Sequence, residues 1–126
     1  MRGVTLDTGV LIGIERRDHR IATRQARWIR DRTVVSVPTV VIAEWWRGQK
    51  GPTARVLDAF TIEPTTRAVA EAAGIALAEL RLGKEHTIDA ILMASAASRG
   101  DVVYTSDFDD LAKLATHFAS VRVLAV

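Results

Sequence analysis

The stretch VVYTSDFDDL, residues 102–111, places three carboxylates, Asp107, Asp109 and Asp110, within four positions, directly after a β-branched and aromatic run. Unit charges ~4 Å apart repel by about 1 kcal/mol in water and about 4 kcal/mol at an effective dielectric near 20. Three further acids stand where chemistry is possible. Asp7 ends the apolar run VTL, and Asp89 follows Thr87 by two residues at the head of TIDAILMASAASRG. Glu44 is surrounded by Val41, Ile42, Ala43, Trp45 and Trp46. If Asp7, Glu44, Asp89 and Asp107 meet, either protonation or a cation must relieve them. Oxygen-only ligands select a hard divalent ion, Mg²⁺ or Mn²⁺, with water completing the octahedron. Such an ion activates water and neutralises the charge that builds at a phosphodiester in its transition state.

Each acid also has a plainer role. Asp7 can cap a helix that begins at Thr8. Asp89 suits the positive end of its helix. Ser106 with Asp109 has the spacing of a capping box, which accounts for Ser106, Asp109 and, in part, Asp107. Glu44 reads as buried or half-buried, with Arg47 the ion-pair partner that its own stretch offers. Capping explains three acids one at a time; it does not explain the fourth, or a meeting of all four.

The elements that must position them alternate. VTLD (4–7) reads as a buried strand and TGVLIGIE as a short helix. Residues 20–32 have helical spacing, with Ile21, Trp28 and Ile29 on one side and Arg20, Arg24 and Arg27 on another. TVVSV (33–37) is a second strand stopped by Pro38, with Thr39 as cap of a helix that ends near Gly48. QKGPT is a turn, ARVLDAF a short helix and TIEP a third strand. A long Ala-rich helix runs from Thr66 to about Leu80 and is closed by Gly83, and GKEH is a loop. Thr87 caps the next helix and Gly100 ends it. VVYT is the fourth strand, DFDDLAKLA a helix and VRVLAV a terminal strand. Such alternation predicts an α/β fold, a three-layer α/β/α domain around a mostly parallel sheet of four to five strands. Asp7 and Asp107 then share the carboxyl edge of the sheet, where such folds bind ligands. Glu44 and Asp89 reach it only if the fold brings them there.

At 126 residues and 48% hydrophobic content, one domain over residues 1–126 with one core is expected. Cysteine is absent, which excludes a disulfide framework, a thiol nucleophile or a thiolate metal site. No apolar run reaches the ~18 residues of a membrane span, and Asp7 interrupts any signal-peptide layout. A soluble cytoplasmic protein with no membrane partner is the expectation. Residues 1–60 carry eleven Lys/Arg against six Asp/Glu, and residues 61–126 six against nine. That asymmetry hints at nucleic acid.

The pieces LDT (6–8), AEWWRG (43–48), TIDAILMASA (87–96) and YTSDFDDL (104–111), in that order over essentially the whole chain, resemble the PIN-domain ribonucleases. The likeness is specifically to the VapC toxins of bacterial type II toxin–antitoxin pairs. The resemblance implies a Mg²⁺-dependent endoribonuclease, with Mn²⁺ a plausible substitute, that acts on RNA, pairs with a VapB-type antitoxin and forms a homodimer. Carried over by position, Asp7, Glu44, Asp89 and Asp107 form the acidic quartet. Asp7 and Asp89 are then the principal metal ligands, Asp107 a ligand directly or through water, and Glu44 the residue that orients the nucleophile. Thr8, Thr105 and Ser106 are polar neighbours of that site. Asp109 and Asp110 have no settled role in it. One of them can support a second metal, and capping suits Asp109 better.

Arg20, Arg24 and Arg27 can track RNA phosphates, form a solvated face or dock an acidic partner segment. Trp45 and Trp46 suit core or interface more than base stacking. Lys84 and His86, just before Asp89, can reach substrate. The histidines show no zinc spacing and the glycines no nucleotide fingerprint. A response-regulator receiver is disfavoured, because the first strand supplies only Asp7 and the last is followed by no lysine. A catalytically silent PIN-fold binding module for RNA or protein is the remaining alternative.

Overall fold

The alternating pattern resolves into one five-stranded sheet in the computed structural model, which describes residues 2–126. Its strands are β1 (Val4–Leu6), β2 (Val35–Pro38), β3 (Thr61–Glu63), β4 (Val102–Thr105) and β5 (Val123–Ala125). Their order is β3-β2-β1-β4-β5, and every pairing is parallel. The α/β/α class expected from the alternation is therefore the class found, with five strands and no antiparallel member.

Six α-helices are described: α1 (Thr8–Glu15), α2 (His19–Arg30), α3 (Thr39–Trp45), α4 (Arg67–Leu80), α5 (Thr87–Arg99) and α6 (Phe108–His117). Short 3₁₀ segments cover Gly51–Ala59 and Lys84–His86. The chain steps from β1 through β2 to β3, returns across the sheet to β4, and continues to β5. Parallel connections of this kind are right-handed, so the helices of the two directions cover opposite faces. Helix α1 packs on α2 and α3, while α4, α5 and α6 pack together.

Register decides which side chains meet which layer. Leu6 pairs with Tyr104, and the Tyr104 ring meets Trp28 of α2 edge-on at 5.3 Å. Thr5 and Val103 are paired one residue earlier and point the other way, toward α5. Leu6, Val10, Leu11, Val37, Val41, Leu92, Met93, Val103, Leu111 and Leu114 are wholly buried between the layers. Full burial of each such side chain stabilises the fold by about 1.5–3 kcal/mol.

Several boundaries differ from the sequence expectations. Pro38, with an extended backbone, precedes the first turn of α3 and offers no side-chain cap, so Thr39 is the first helical residue rather than its cap. Thr87 likewise is already helical, because the 3₁₀ turn at Lys84–His86 runs directly into α5. Helix α4 closes at Arg81, whose left-handed φ of 56° ends the helix two residues before Gly83. Gly100 does close α5, at φ 70°. ARVLDAF lies in a 3₁₀ segment opened by Pro52, not in an α-helix. Ile29, expected inward with Trp28, is 71% exposed, whereas Trp28 is buried. Trp45 is core, and Trp46 lies at the surface.

Candidate active site at the acidic edge of the sheet

Asp7 occupies the hinge between the central strand and its helix. Its amide donates to the Tyr104 carbonyl at 3.1 Å, which continues the β1–β4 ladder one step past β1. Its extended backbone makes it the cap of α1, with Oδ1 accepting from the Thr8 amide at 2.7 Å. Oδ2 accepts from the Thr105 hydroxyl at 2.7 Å. Thr105 is wholly buried at the end of β4, and its oxygen in turn accepts the Asp107 amide at 3.0 Å. The capping role expected for Asp7 is thus real, and the same carboxylate faces the other acids.

Asp107, not Ser106, caps α6: Oδ1 accepts from the Asp110 amide at 3.4 Å. The capping box expected of Ser106 and Asp109 is shifted by one residue, because β4 ends at Thr105 and Ser106 belongs to the turn. Asp107, Asp109 and Asp110 are all exposed.

Glu44 overturns its expectation. It is exposed, not buried, and its partner is the Thr8 hydroxyl, which donates to Oε1. Arg47 turns away and donates to the Ala43 and Trp46 carbonyls. Since α3 starts at the carboxyl end of β2, its second turn lies over the first residues of α1. Thr8 therefore links Asp7, through its amide, to Glu44, through its hydroxyl.

The electrostatics report the same convergence. Burial pushes the Asp7 carboxyl up, and the Glu44 and Asp107 charges add to that, against the lowering effect of the Thr105 and Thr8 bonds. Asp89 rises from 3.8 to about 6, through burial first and then the charges of Asp7, Glu44 and Asp110, with His86 pulling the other way. Asp110 is raised by its contact with Asp107 and by Asp107's charge. The fold thus brings together Asp7, Glu44, Asp89, Asp107, Thr8 and Thr105, and it adds Asp110 and His86 to them. Asp109 reaches this group only through its charge on Asp110.

The donors are all carboxylate and hydroxyl oxygens around half-buried Asp7 and Asp89, with no lysine or arginine among the groups that perturb either acid. That chemistry fits a hard divalent cation. Among the described residues, no three His, Cys, Asp or Glu side chains stand close enough together to hold an ion as placed.

The three arginines of α2 do not share one environment. Arg20 and Arg27 are exposed, while Arg24 is half-buried and donates to the Tyr104 hydroxyl at 3.1 Å. A residue group unnoticed in the sequence sits beneath β1. Buried Asp101 accepts from Thr5 at 2.8 Å and from Arg99 at 3.0 Å. Arg99 also donates to Ser95 at 2.8 Å and to Thr5 at 2.9 Å. The only sequence signal for it is the pair Arg99 and Asp101, two residues apart across Gly100.

A parallel sheet of order β3-β2-β1-β4-β5 with acids gathered at its carboxyl edge defines an α/β/α domain whose binding site lies at the strand ends. The PIN domain family profile matches residues 4–116, and the chain belongs to that family. Twenty-two solved chains resemble it. VapBC2 from Rickettsia felis, bound to a DNA fragment from its promoter, superposes with a TM-score of 0.76 at 11% identity over 98% of both chains. DNA-bound VapBC from Salmonella typhimurium gives 0.70 at 18% identity, over 99% of this chain and 98% of that one. FitAcB from Neisseria gonorrhoeae gives 0.69 at 19% identity over 96% of both. At such identities the likeness establishes the fold. Comparison with curated proteins gives no sequence match.

Proposed function

We propose that this PIN domain, spanning residues 1–126 as one unit, is a metal-dependent endoribonuclease and the toxin of a type II toxin–antitoxin pair. The observation that carries this reading is that Asp7, Glu44, Asp89 and Asp107 lie at one sheet edge, near enough for Glu44 and Asp107 to raise the Asp7 carboxyl and for Asp7 and Glu44 to raise that of Asp89. Asp7, Asp89 and Asp107 would hold the ion, Mg²⁺ or Mn²⁺. When bound, it supplies a more acidic water and offsets charge on the phosphate oxygens.

The protein's own residues do the positioning. Thr8 and Thr105 fix both oxygens of Asp7, and Thr8 also holds Glu44, which would orient the attacking water. Ser106 lines the approach. Arg20, Arg24 and Arg27 offer guanidinium groups to an RNA backbone. The structural neighbours are VapBC, FitAcB and a toxin–antitoxin complex from Klebsiella pneumoniae. They support a VapB-type antitoxin as partner; a homodimer and a cytoplasmic setting belong to this reading through the family resemblance alone. Among the described residues, no helix is long and apolar enough to cross a membrane.

The test is cleavage of total cellular RNA by purified protein in Mg²⁺, Mn²⁺ or EDTA, with Asp7→Asn alongside. Cleavage that needs metal and is lost in Asp7→Asn is expected. A second reading, a silent binding module, is favoured by the lack of a ready-made set of three ligands. Silence of the intact protein in both metals, with RNA or partner binding unaffected by Asp7→Asn, would establish it.

A further inference from the structure

A groove of about 360 Å³ opens beside the acidic edge and is lined by the sequence neighbours of two of its residues. Gly9 follows Thr8, Ser106 precedes Asp107, and both line the groove. Its volume falls in the range of small-ligand sites. The walls carry two chemistries: Ile12 and Ile21 are apolar, and Arg16 and Arg20 are cationic. Helix α1 comes so close here that a Cβ on Gly9 would overlap the Ser106 hydroxyl, and one on Gly13 the end of Ile21. Asp18 also borders the groove, but its Oδ1 is taken up by the Arg20 and Ile21 amides at 2.9 and 3.2 Å.

Arg20 continues into a second hollow, of about 140 Å³, with Thr23, Arg24 and Arg27. Arg24 is fixed there, since its guanidinium carbon lies 4.9 Å from the Tyr104 ring centre and its Nη1 bonds the Tyr104 hydroxyl. From Arg20 to Arg27 the cations cover about 10 Å of helix. One hollow with an apolar wall is therefore followed by a row of guanidiniums, along a path that starts beside the acids. Single-stranded nucleic acid offers the matching chemistry, a base face for the hollow and phosphates for the guanidiniums.

We infer that the α1–α2 groove receives the nucleotide flanking the cleaved bond, its base against Ile12 and Ile21 and its phosphates on Arg16 and Arg20. This rests on the ribonuclease reading above. The next phosphates then follow Arg24 and Arg27 along α2.

The test measures binding of a fluorescent single-stranded oligoribonucleotide in EDTA, on the Asp7→Asn background, by anisotropy across a salt series. The double variant Arg16→Gln, Arg20→Gln is compared with Arg122→Gln, an exposed charge before β5 at the opposite edge of the sheet. The groove variant is expected to bind about tenfold more weakly, and its salt slope to fall by about 0.7 per lost arginine. Arg122→Gln should stay within about twofold of its parent. With Asp7 restored and Mn²⁺ present, the groove variant should raise KM more than it lowers kcat, and its cleavage positions should shift. Equal losses in both variants, or none in the groove variant, overturn the inference while RNA cleavage by the intact protein leaves the ribonuclease reading standing. No cleavage by the intact protein overturns both.

Discussion

Asp7 and Asp101 stand at opposite ends of the same pair of central strands and are treated in opposite ways. Asp101, 5% exposed before β4, is answered by a cation and a hydroxyl, Arg99 and Thr5, both donating to Oδ2, and Arg99 also faces Glu63 at 3.7 Å. Asp7, at the end of β1, receives only two neutral donors, and the charges that reach it come from other acids. A fold that can place an arginine against one carboxylate has left the other without a cation. Removing one partner of a buried ion pair costs about 3–5 kcal/mol, so the closed network belongs to stability. Carboxyls raised by burial and mutual repulsion are what functional sites concentrate, which is the role proposed above for Asp7.

That contrast can be broken by experiment. The largest effect expected is in catalysis: Asp7→Asn keeps the bonds to Thr8 and Thr105 in outline and should lower RNA cleavage by at least about 1,000-fold, or roughly 4 kcal/mol. Its melting temperature should not fall. Asp101→Ala should do the reverse. It leaves half-buried Arg99 with only the longer contact to Glu63, and should cost about 3 kcal/mol, or roughly 10 °C, while cleavage per folded molecule persists. Thermal melts beside RNA gels distinguish the two. Stability loss in Asp7→Asn, or activity loss in folded Asp101→Ala, would erase the distinction.

Thr105→Val removes the hydroxyl that joins Asp7 to the Asp107 amide. Loss of such a supporting bond should lower metal affinity or cleavage about 10- to 100-fold with the fold retained, read by Mn²⁺ titration. Asp89 gives a smaller effect with a defined sign. Its carboxyl is raised to about 6 in the folded protein, so the folded state holds that proton more tightly than the unfolded chain. The metal-free protein should therefore gain stability as pH falls from above 6 toward 4, and lose it again as pH rises through 6. Discounted for partial exposure, the effect is about 1 kcal/mol. Asp89→Asn should raise the neutral-pH melting temperature and flatten this dependence. The smallest change is expected from Ser36→Ala. Ser36 is buried on β2, and its hydroxyl has no partner among the described residues. Stability in a urea titration should move by no more than about 1 kcal/mol, in either direction.

The fold was legible because short continuous apolar runs and helical runs alternate cleanly, and because such strands in this pattern are parallel and covered on both faces. Asp7 and Asp107 could be placed from strand ends alone. Glu44 differs from its expectation because it stands at the margin of the buried stripe of α3, about 60° round the helix from Val41 and about 100° from Trp45, and apolar neighbours in sequence do not reveal where that margin falls. Thr39 and Thr87 were taken for caps because threonine favours that position. A proline before one and a 3₁₀ turn before the other had already set the helical entry. The Arg99–Asp101 network was illegible for a different reason: its third member, Thr5, lies more than ninety residues away.

The bond between Thr105 and Asp7 spans 98 residues. During synthesis, β1 emerges from the ribosome long before β4 exists, and Asp7 waits without its hydroxyl donor, its Asp107 neighbour or half of its strand pairing. At about 5–20 residues per second, that interval lasts several seconds. A growing chain, or one cut short by a premature stop, thus lacks the acidic edge until β4 and the first turn of α6 have been made.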